Sequence, residues 1–100
     1  MVRHVIIWQL KEEYTKEQKE EIRKGIKEGL EGLLGVIPGL KEIHVQLDCL
    51  PTSNGDAMLD SLFESEEALN NYTVNPAHVA VATTKVRPFV KQRFVMDFEV

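Results

Sequence analysis

The chain is poor in cysteine and contains no long apolar run. Cys49 is the single cysteine among 100 residues, so no internal disulfide can form, and we expect a reducing, cytoplasmic setting. No apolar stretch approaches the roughly 18–20 residues that a membrane-spanning helix needs. The first residues include Arg3, His4 and Gln9 and lack a small-residue cleavage site, so they do not resemble a signal peptide. We therefore expect no membrane partner.

The chain also has no excess of basic residues. The formal net charge is −4, with acidic and basic residues interspersed along the chain. Binding to nucleic acid requires a basic patch, so no nucleic-acid partner is expected. The three histidines lack metal-ligand spacing, and the sequence contains no phosphate-cradling glycine loop or dinucleotide fingerprint. We expect neither a metal site nor a cofactor.

What is present is the composition of an ordinary globular domain, with 43% hydrophobic and 28% charged residues. A chain of this length corresponds to one domain, spanning residues 1–100. Alternating or continuous apolar segments predict strands, and apolar positions recurring at helical spacing predict helices. The predicted strands cover residues 2–10, 40–50, 57–64 and 93–100. One helix is predicted over about 16–34 and another over about 76–84, with a short helix between them that starts after Ser65 and contains Ala68, Leu69 and Tyr72.

Local signals mark where the helices begin. Thr15 with Gln18 three residues later predicts a capping box, and Ser65 predicts a second N-cap. Asn75 followed by Pro76 predicts a further helix start, because proline has no N–H to lose at the first helical position. Pro88 disfavours a regular helix around it.

The element order β-α-β-β-α-β predicts an α+β, ferredoxin-like fold, with a four-stranded antiparallel sheet and helices on one face. The first strand is apolar on both sides: Ile6 and Trp8 lie on one face, and Val5 and Ile7 on the other. An open antiparallel sheet should show one polar face. We therefore expect a homodimer that packs through the sheet face. The alternative is a monomer with a few exposed apolar side chains.

Tyr72 and His78 are the candidate catalytic residues. The helix start at Asn75-Pro76 holds the phenol and the imidazole close together in the chain. Histidine has an unperturbed pKa near about 6.5 and can take a proton near neutrality, while tyrosine can donate to a developing enolate oxygen. The structural alternative is that His78 packs the second helical region and Tyr72 fills the core.

Two further positions have two interpretations each. His4 is in phase with Ile6 and Trp8, so it is either a satisfied core histidine or part of a pocket. Gly29 lies on the buried stripe of the first helix next to Ile26, where a missing side chain permits either close helix packing or a cavity.

The chain resembles the stress-responsive A/B barrel (Dabb) family of dimeric α/β-barrel proteins with ferredoxin-like subunits. The resemblance covers nearly the whole sequence. It is carried by the order and spacing of short segments: Val2-Arg3-His4-Val5-Ile6, Ile37-Pro38-Gly39-Leu40, Phe63-Glu64-Ser65, Tyr72 to His78, and Asp97-Phe98.

The resemblance implies candidate site residues. In a plant polyketide cyclase of this family, a pocket histidine and tyrosine promote an intramolecular aldol cyclisation. His78 and Tyr72 match that pair, and His4 matches a further pocket histidine. Ala57 and Ile26 stand where the cyclase has another pocket histidine and a pocket tyrosine. This chain thus has the histidine–tyrosine pair of the cyclase but differs from it at two neighbouring pocket positions.

The first functional hypothesis is a cofactor-independent, cyclase- or lyase-like protein that binds a small, mostly apolar carbonyl compound between helices and sheet. One alternative is a non-catalytic, stress-related barrel that binds a ligand or a partner. Another, suggested by related barrels, is a cofactor-free monooxygenase-like protein. In the first hypothesis His78 is the base and Tyr72 the hydrogen-bond donor, and the predicted ligand-binding residues are His4, Ile6, Trp8, Ile26 and Gly29.

Overall fold

A computed structural model describes residues 1–100 of the chain. The strands are β1 (Val2–Leu10), β2 (Leu40–Gln46), β3 (Ala57–Phe63) and β4 (Val90–Glu99). The α-helices are α1 (Lys16–Glu31), α2 (Glu66–Val74) and α3 (Pro76–Val81). A π-helical turn, Ala82–Val86, follows α3 directly, and a 3₁₀ turn, Arg87–Phe89, leads into β4. No helix is long and apolar enough to cross a membrane.

The four strands form one antiparallel sheet in the order β2-β3-β1-β4. This is the ferredoxin-like arrangement, and it confirms the predicted fold. β1 is central and pairs with β3 on one side and with β4 on the other. In this register His4 lies opposite Asp97, and Trp8 lies opposite Arg93.

The predicted helix starts are confirmed. Thr15 and Gln18 form a reciprocal capping box with N–O distances of 3.2 and 2.8 Å. The Ser65 hydroxyl accepts from the Ala68 N–H at 3.1 Å. The Asn75 side chain accepts from the Ala77 N–H at 2.9 Å. Each side chain satisfies a backbone donor that the first helical turn leaves without a partner.

Several element ends differ from the sequence prediction. Helix α1 ends at Glu31, before the predicted residue 34, and Leu34 is 51% exposed in the turn that follows. Strand β2 ends at Gln46, before the predicted residue 50, and the next carbonyl, that of Leu47, accepts from the Arg23 guanidinium. Strand β4 starts at Val90, earlier than predicted, because Val90 pairs with the end of β1 beyond a bulge. The spacing of apolar residues in the sequence does not reveal these tertiary contacts.

The hydrophobic core lies between the helices and the inner face of the sheet. Alternate residues of β1 and β3 point into it, and Ile22, Ile26 and Leu30 of α1 close it from above. His4 is buried among these apolar residues, on the predicted face. The helices therefore cover one face of the sheet only.

Helix α1 packs closely on α3 at Gly29. A Cβ placed on Gly29 would lie 2.8 Å from Cγ1 of Val81, closer than real Cβ atoms approach. The missing side chain thus serves close helix packing, which was one of the two interpretations of this glycine. Gly25, one turn earlier, has space: its added Cβ would meet only Cδ of Lys85, at 3.7 Å.

The face of the sheet opposite the helices, here called the outer face, carries a large apolar surface. On β4 the side chains of Phe94, Met96 and Phe98 point to this face, with Phe94 60% and Met96 69% exposed. They lie next to Ile7 and Val5 of β1 in the strand register. Monomeric proteins rarely leave so many adjacent apolar side chains in water. The apolar residues of the outer face are Val5, Ile7, Met58, Leu62, Phe94, Met96 and Phe98.

The two glycines of α1 provide a matched test of the close helix contact. Gly25→Ala should stabilise the protein by about 0.5–1 kcal/mol, since alanine is the better helix former and the site has space. Gly29→Ala should instead destabilise it by about 1–3 kcal/mol, because the new methyl group overpacks against Val81. Urea unfolding measures both changes.

The double variant Gly29→Ala/Val81→Ala should recover part of that loss, so that the two changes are non-additive. A stabilising Gly29→Ala would contradict the close contact between α1 and α3.

Candidate functional site

A cavity of about 290 Å³ lies between the α3 region and the strands β1 and β4. This volume is near the lower end of the range for small-molecule sites, about 300–1,000 Å³. The floor is apolar, and charged side chains surround the opening beside β4. The lining residues are Ile6, Trp8, Leu30, Leu59, Tyr72, His78, Ala82, Val86, Arg87, Val90, Lys91, Gln92 and Arg93.

Tyr72 and His78 meet on the wall of this cavity. Their ring centroids are 4.0 Å apart and the ring planes are tilted by 34°. Tyr72 is near the end of α2, and His78 is in the first turn of α3, so the break at Asn75 folds one ring onto the other. The backbone N–H of Asn75 donates to the Tyr72 carbonyl while its side chain caps α3. One residue therefore ends one helix, begins the next and sets the geometry of the pair.

The surroundings shift the pKa of both groups. Burial raises the pKa of the Tyr72 phenol, which is only 2% exposed, so it stays protonated and can donate a hydrogen bond. Burial also lowers the pKa of His78, and the positive charges of Arg87 and Arg93 and the nearby His4 act in the same direction. The backbone of Thr73 opposes this shift. His78 is therefore a neutral imidazole near neutral pH, as a general base requires.

The Nδ1 atom of His78 is buried and has no hydrogen-bond partner in the protein. Buried polar atoms are nearly always paired, because leaving one unpaired costs about 1–3 kcal/mol. This nitrogen is inaccessible to solvent, and the backbone of Thr73 is close enough to act on the ring.

His4 lies behind Tyr72 and is not on the cavity wall. Its ring stands edge-on to Tyr72, with centroids 6.1 Å apart, and edge-on to Phe63 at 6.2 Å. Its Nδ1 is hydrogen-bonded to the Asp97 carboxylate, which lies directly across from it in the β1–β4 register. The interaction orients the His4 ring, and the row of rings continues through Tyr72 to His78.

The predicted ligand-binding residues lie in three different places. Ile6 and Trp8 line the cavity together with Tyr72 and His78. His4 supports the site from behind. Ile26 is completely buried in the core, and Gly29 lies at the contact between α1 and α3, so neither is on the cavity wall.

Sequence reasoning did not identify the side of the cavity formed by the π-helical turn and β4. Ala82, Val86, Arg87 and Arg93 contribute to that side. The wider π-helical turn is rare and often occurs at functional sites, but no residue pattern in this segment distinguishes it from an ordinary α-helical turn. The alternation of β4 does place Arg93 on the face opposite Phe94, and this signal could have identified it.

A family model described as the stress responsive A/B barrel domain matches residues 2–100. The chain is 28% identical over 100 residues to olivetolic acid cyclase from Cannabis sativa, and the match covers 97% of this chain and 94% of the cyclase.

Solved structures show the same fold. A protein of unknown function from Bacteroides fragilis, described as dimeric and ferredoxin-like, superposes with a TM-score of 0.92 at 25% identity, covering 99% of this chain and 95% of that one. Hydroxynitrile lyase from Passiflora edulis superposes with a TM-score of 0.72 at 20% identity, covering 97% and 90% of the two chains. At that identity the likeness to the lyase concerns the fold alone.

The lowered pKa of His78 should appear in the pH dependence of stability. Below about pH 6.5 the unfolded chain is protonated at His78 to a greater extent than the folded protein. Protonation therefore favours the unfolded state, and the free energy of unfolding falls as the pH falls. We expect His78→Gln to make the decline between about pH 7 and pH 5 shallower, by at most about 1.4 kcal/mol per pH unit for a single group. Urea unfolding across this range measures the slope.

Equal slopes in the two proteins would mean that His78 titrates alike in the folded and unfolded states. An NMR titration of the His78 ring provides a direct check, since its midpoint should lie below about 6.5.

Proposed function

Because this chain belongs to the stress-responsive A/B barrel family, we propose that it binds a small, mostly apolar carbonyl compound in the described cavity and promotes cofactor-independent proton transfer there. His78 is the base and Tyr72 the hydrogen-bond donor. The compound lies against the apolar floor that Ile6 and Trp8 contribute to.

One observation carries this proposal: the ring of His78 lies against a protonated phenol at the wall of a cavity, with the ring centroids 4.0 Å apart. A neutral imidazole accepts a proton, and a phenol with a raised pKa donates a hydrogen bond without losing its own proton. The two capacities are complementary, and the chain geometry holds both groups at one place.

The chemistry follows from those capacities. His78 takes a proton from the carbon next to the carbonyl group, and the electron pair of the broken C–H bond moves to form an enolate. Tyr72 donates a hydrogen bond to the enolate oxygen as its negative charge develops. The protonated imidazole then returns the proton, to the same carbon or to an oxygen formed in a subsequent ring closure. No metal or organic cofactor takes part in this sequence.

One related enzyme supports an activity of this general type. The relative is named a cyclase, and a base–donor pair is suited to ring closure through an enolate. The non-catalytic ligand-binding barrel is the main alternative. The monooxygenase-like alternative has no particular feature of this cavity in its favour.

Hydrogen exchange at a simple ketone tests the proposed proton transfer. In D₂O, the wild-type protein should accelerate exchange of the α-hydrogens of 2-octanone, followed by proton NMR. His78→Ala should lower the protein-dependent rate by about 10²-fold or more, since general bases contribute about 10²–10⁴-fold. Tyr72→Phe should also slow exchange, and the two changes should be non-additive if the residues act together.

His44→Ala is the matched control, because His44 is an exposed histidine of β2 that does not line the cavity. It should leave the exchange rate unchanged. Binding of 2-octanone, detected as a thermal shift, without any accelerated exchange would favour the non-catalytic alternative. Absence of both binding and exchange would sink the proposal.

We further propose that two copies of the chain pair through the outer face of the sheet. Similar structures are described as dimeric, and the outer face of this chain carries adjacent exposed apolar residues on β1 and β4. Packing two such faces removes these side chains from water, and a stable interface buries about 800 Å² on each partner.

Sedimentation at micromolar concentration tests the pairing. The wild-type protein should sediment at twice the 11.4 kDa chain mass. Met96→Glu places a charge among the exposed apolar side chains of the outer face and should give monomers, because an unpaired charge is costly to bury. Val95→Glu is the matched control, since its side chain points to the opposite face of the same strand, and it should leave the mass unchanged. A wild-type monomer would contradict the proposed dimer.

A further inference from the structure

The opening of the cavity carries positive charge, and none of the cavity-lining residues is acidic. Arg87 and Arg93 line it, as does Lys91, whose ammonium group is paired with Glu12 outside the cavity lining. The chain as a whole has the opposite balance, with 16 acidic against 12 basic residues. A local positive field on an acidic protein points to an anionic ligand group, since like charges held together without a counter-ion repel one another.

The arginines of the chain divide into two pairs by their partners. Arg3 forms salt bridges with Glu42 and Asp60, and Arg23 forms one with Glu20. The two remaining arginines, those at the cavity, take part in none of the salt bridges of the structure. The two guanidinium groups at the cavity therefore have no carboxylate partner within the chain.

Those two side chains come from different elements of the fold. Arg87 follows the π-helical turn, and Arg93 lies on β4 opposite Trp8. Both are close enough to His78 for their charges to act on its imidazole. An anionic group between them would thus lie beside the proposed catalytic pair, while the apolar remainder of the molecule reaches the floor.

We propose that the ligand of this cavity is an amphipathic carboxylate, with its carboxylate held by Arg87 and Arg93 and its apolar body against Ile6 and Trp8. This inference rests on the proposed function, because it uses the same cavity, and it narrows the ligand class. Guanidinium groups bind carboxylates through paired, charge-assisted hydrogen bonds, and two arginines supply enough donors for both carboxylate oxygens. The sequence contains no glycine-rich loop of the kind that cradles phosphates, so a carboxylate is favoured over a phosphate.

Matched probes of one chain length test this assignment by calorimetry. Octanoate should bind at least about tenfold more tightly than 1-octanol, because only octanoate forms charge-assisted hydrogen bonds. Arg87→Met and Arg93→Met keep an apolar stem and remove the charge. Each should weaken octanoate binding by about five- to tenfold and leave 1-octanol binding within about twofold of wild type.

Lys91→Met is the matched control. Lys91 also lines the cavity, but its ammonium group is already paired with Glu12 at 2.9 Å, so its removal should change octanoate binding by less than about twofold. Raising the salt concentration should weaken octanoate binding and leave 1-octanol binding unchanged, since only the charged probe is screened. A bound carboxylate should also raise the midpoint of the His78 titration, and 1-octanol should not.

The outcomes separate this inference from the function on which it rests. Equal binding of octanoate and 1-octanol, with no effect of the arginine variants, would overturn the carboxylate assignment and leave the apolar cavity intact. Tighter binding of octyl phosphate than of octanoate would overturn it in favour of a phosphate. Failure of octanoate, 1-octanol and 2-octanone alike to bind would refute both the assignment and the proposed function.

Discussion

The pairing of β1 with both of its neighbours is the constraint on which the rest of the structure depends. Because β1 is central, its inner side chains meet β3 on one side and β4 on the other. The register brings Asp97 to His4 and Arg93 to Trp8, at opposite ends of the same face. A shift of one residue would turn these side chains to the other face of the sheet. The position of His4 behind Tyr72 and the position of Arg93 at the cavity opening are thus consequences of one strand register.

The cavity exists because the helices do not cover the whole inner face. Helix α1 packs tightly on α3 at Gly29, which holds the helical layer together over β1 and β3. The inner face of β4 remains exposed, and its side chains there are polar at Arg93, Asp97 and Glu99. The contact at Gly29 therefore fixes the position of the helices, and the part of β4 that they leave uncovered gives access to the site.

The polarity of β4 explains why the two faces of the sheet have different roles. In an ordinary open sheet the apolar side chains of an edge strand point towards the helices. Here Phe94, Met96 and Phe98 point away from them, and the charged residues point inwards. One strand thus supplies an apolar surface suited to a second subunit on one side and polar groups for a ligand on the other.

The sequence by itself determined the elements, their order and the helix caps, because these follow from local periodicity and local hydrogen bonds. It also brought Tyr72 and His78 together, since the break at Asn75 acts within seven residues of chain. Only the tertiary structure decided which residues form the far side of the cavity. Arg87 and Arg93 reach the same space from a π-helical turn and an edge strand, and that meeting depends on long-range strand pairing. The same packing decided that Gly29 is a helix contact rather than part of the cavity wall, because local sequence does not contain the position of Val81.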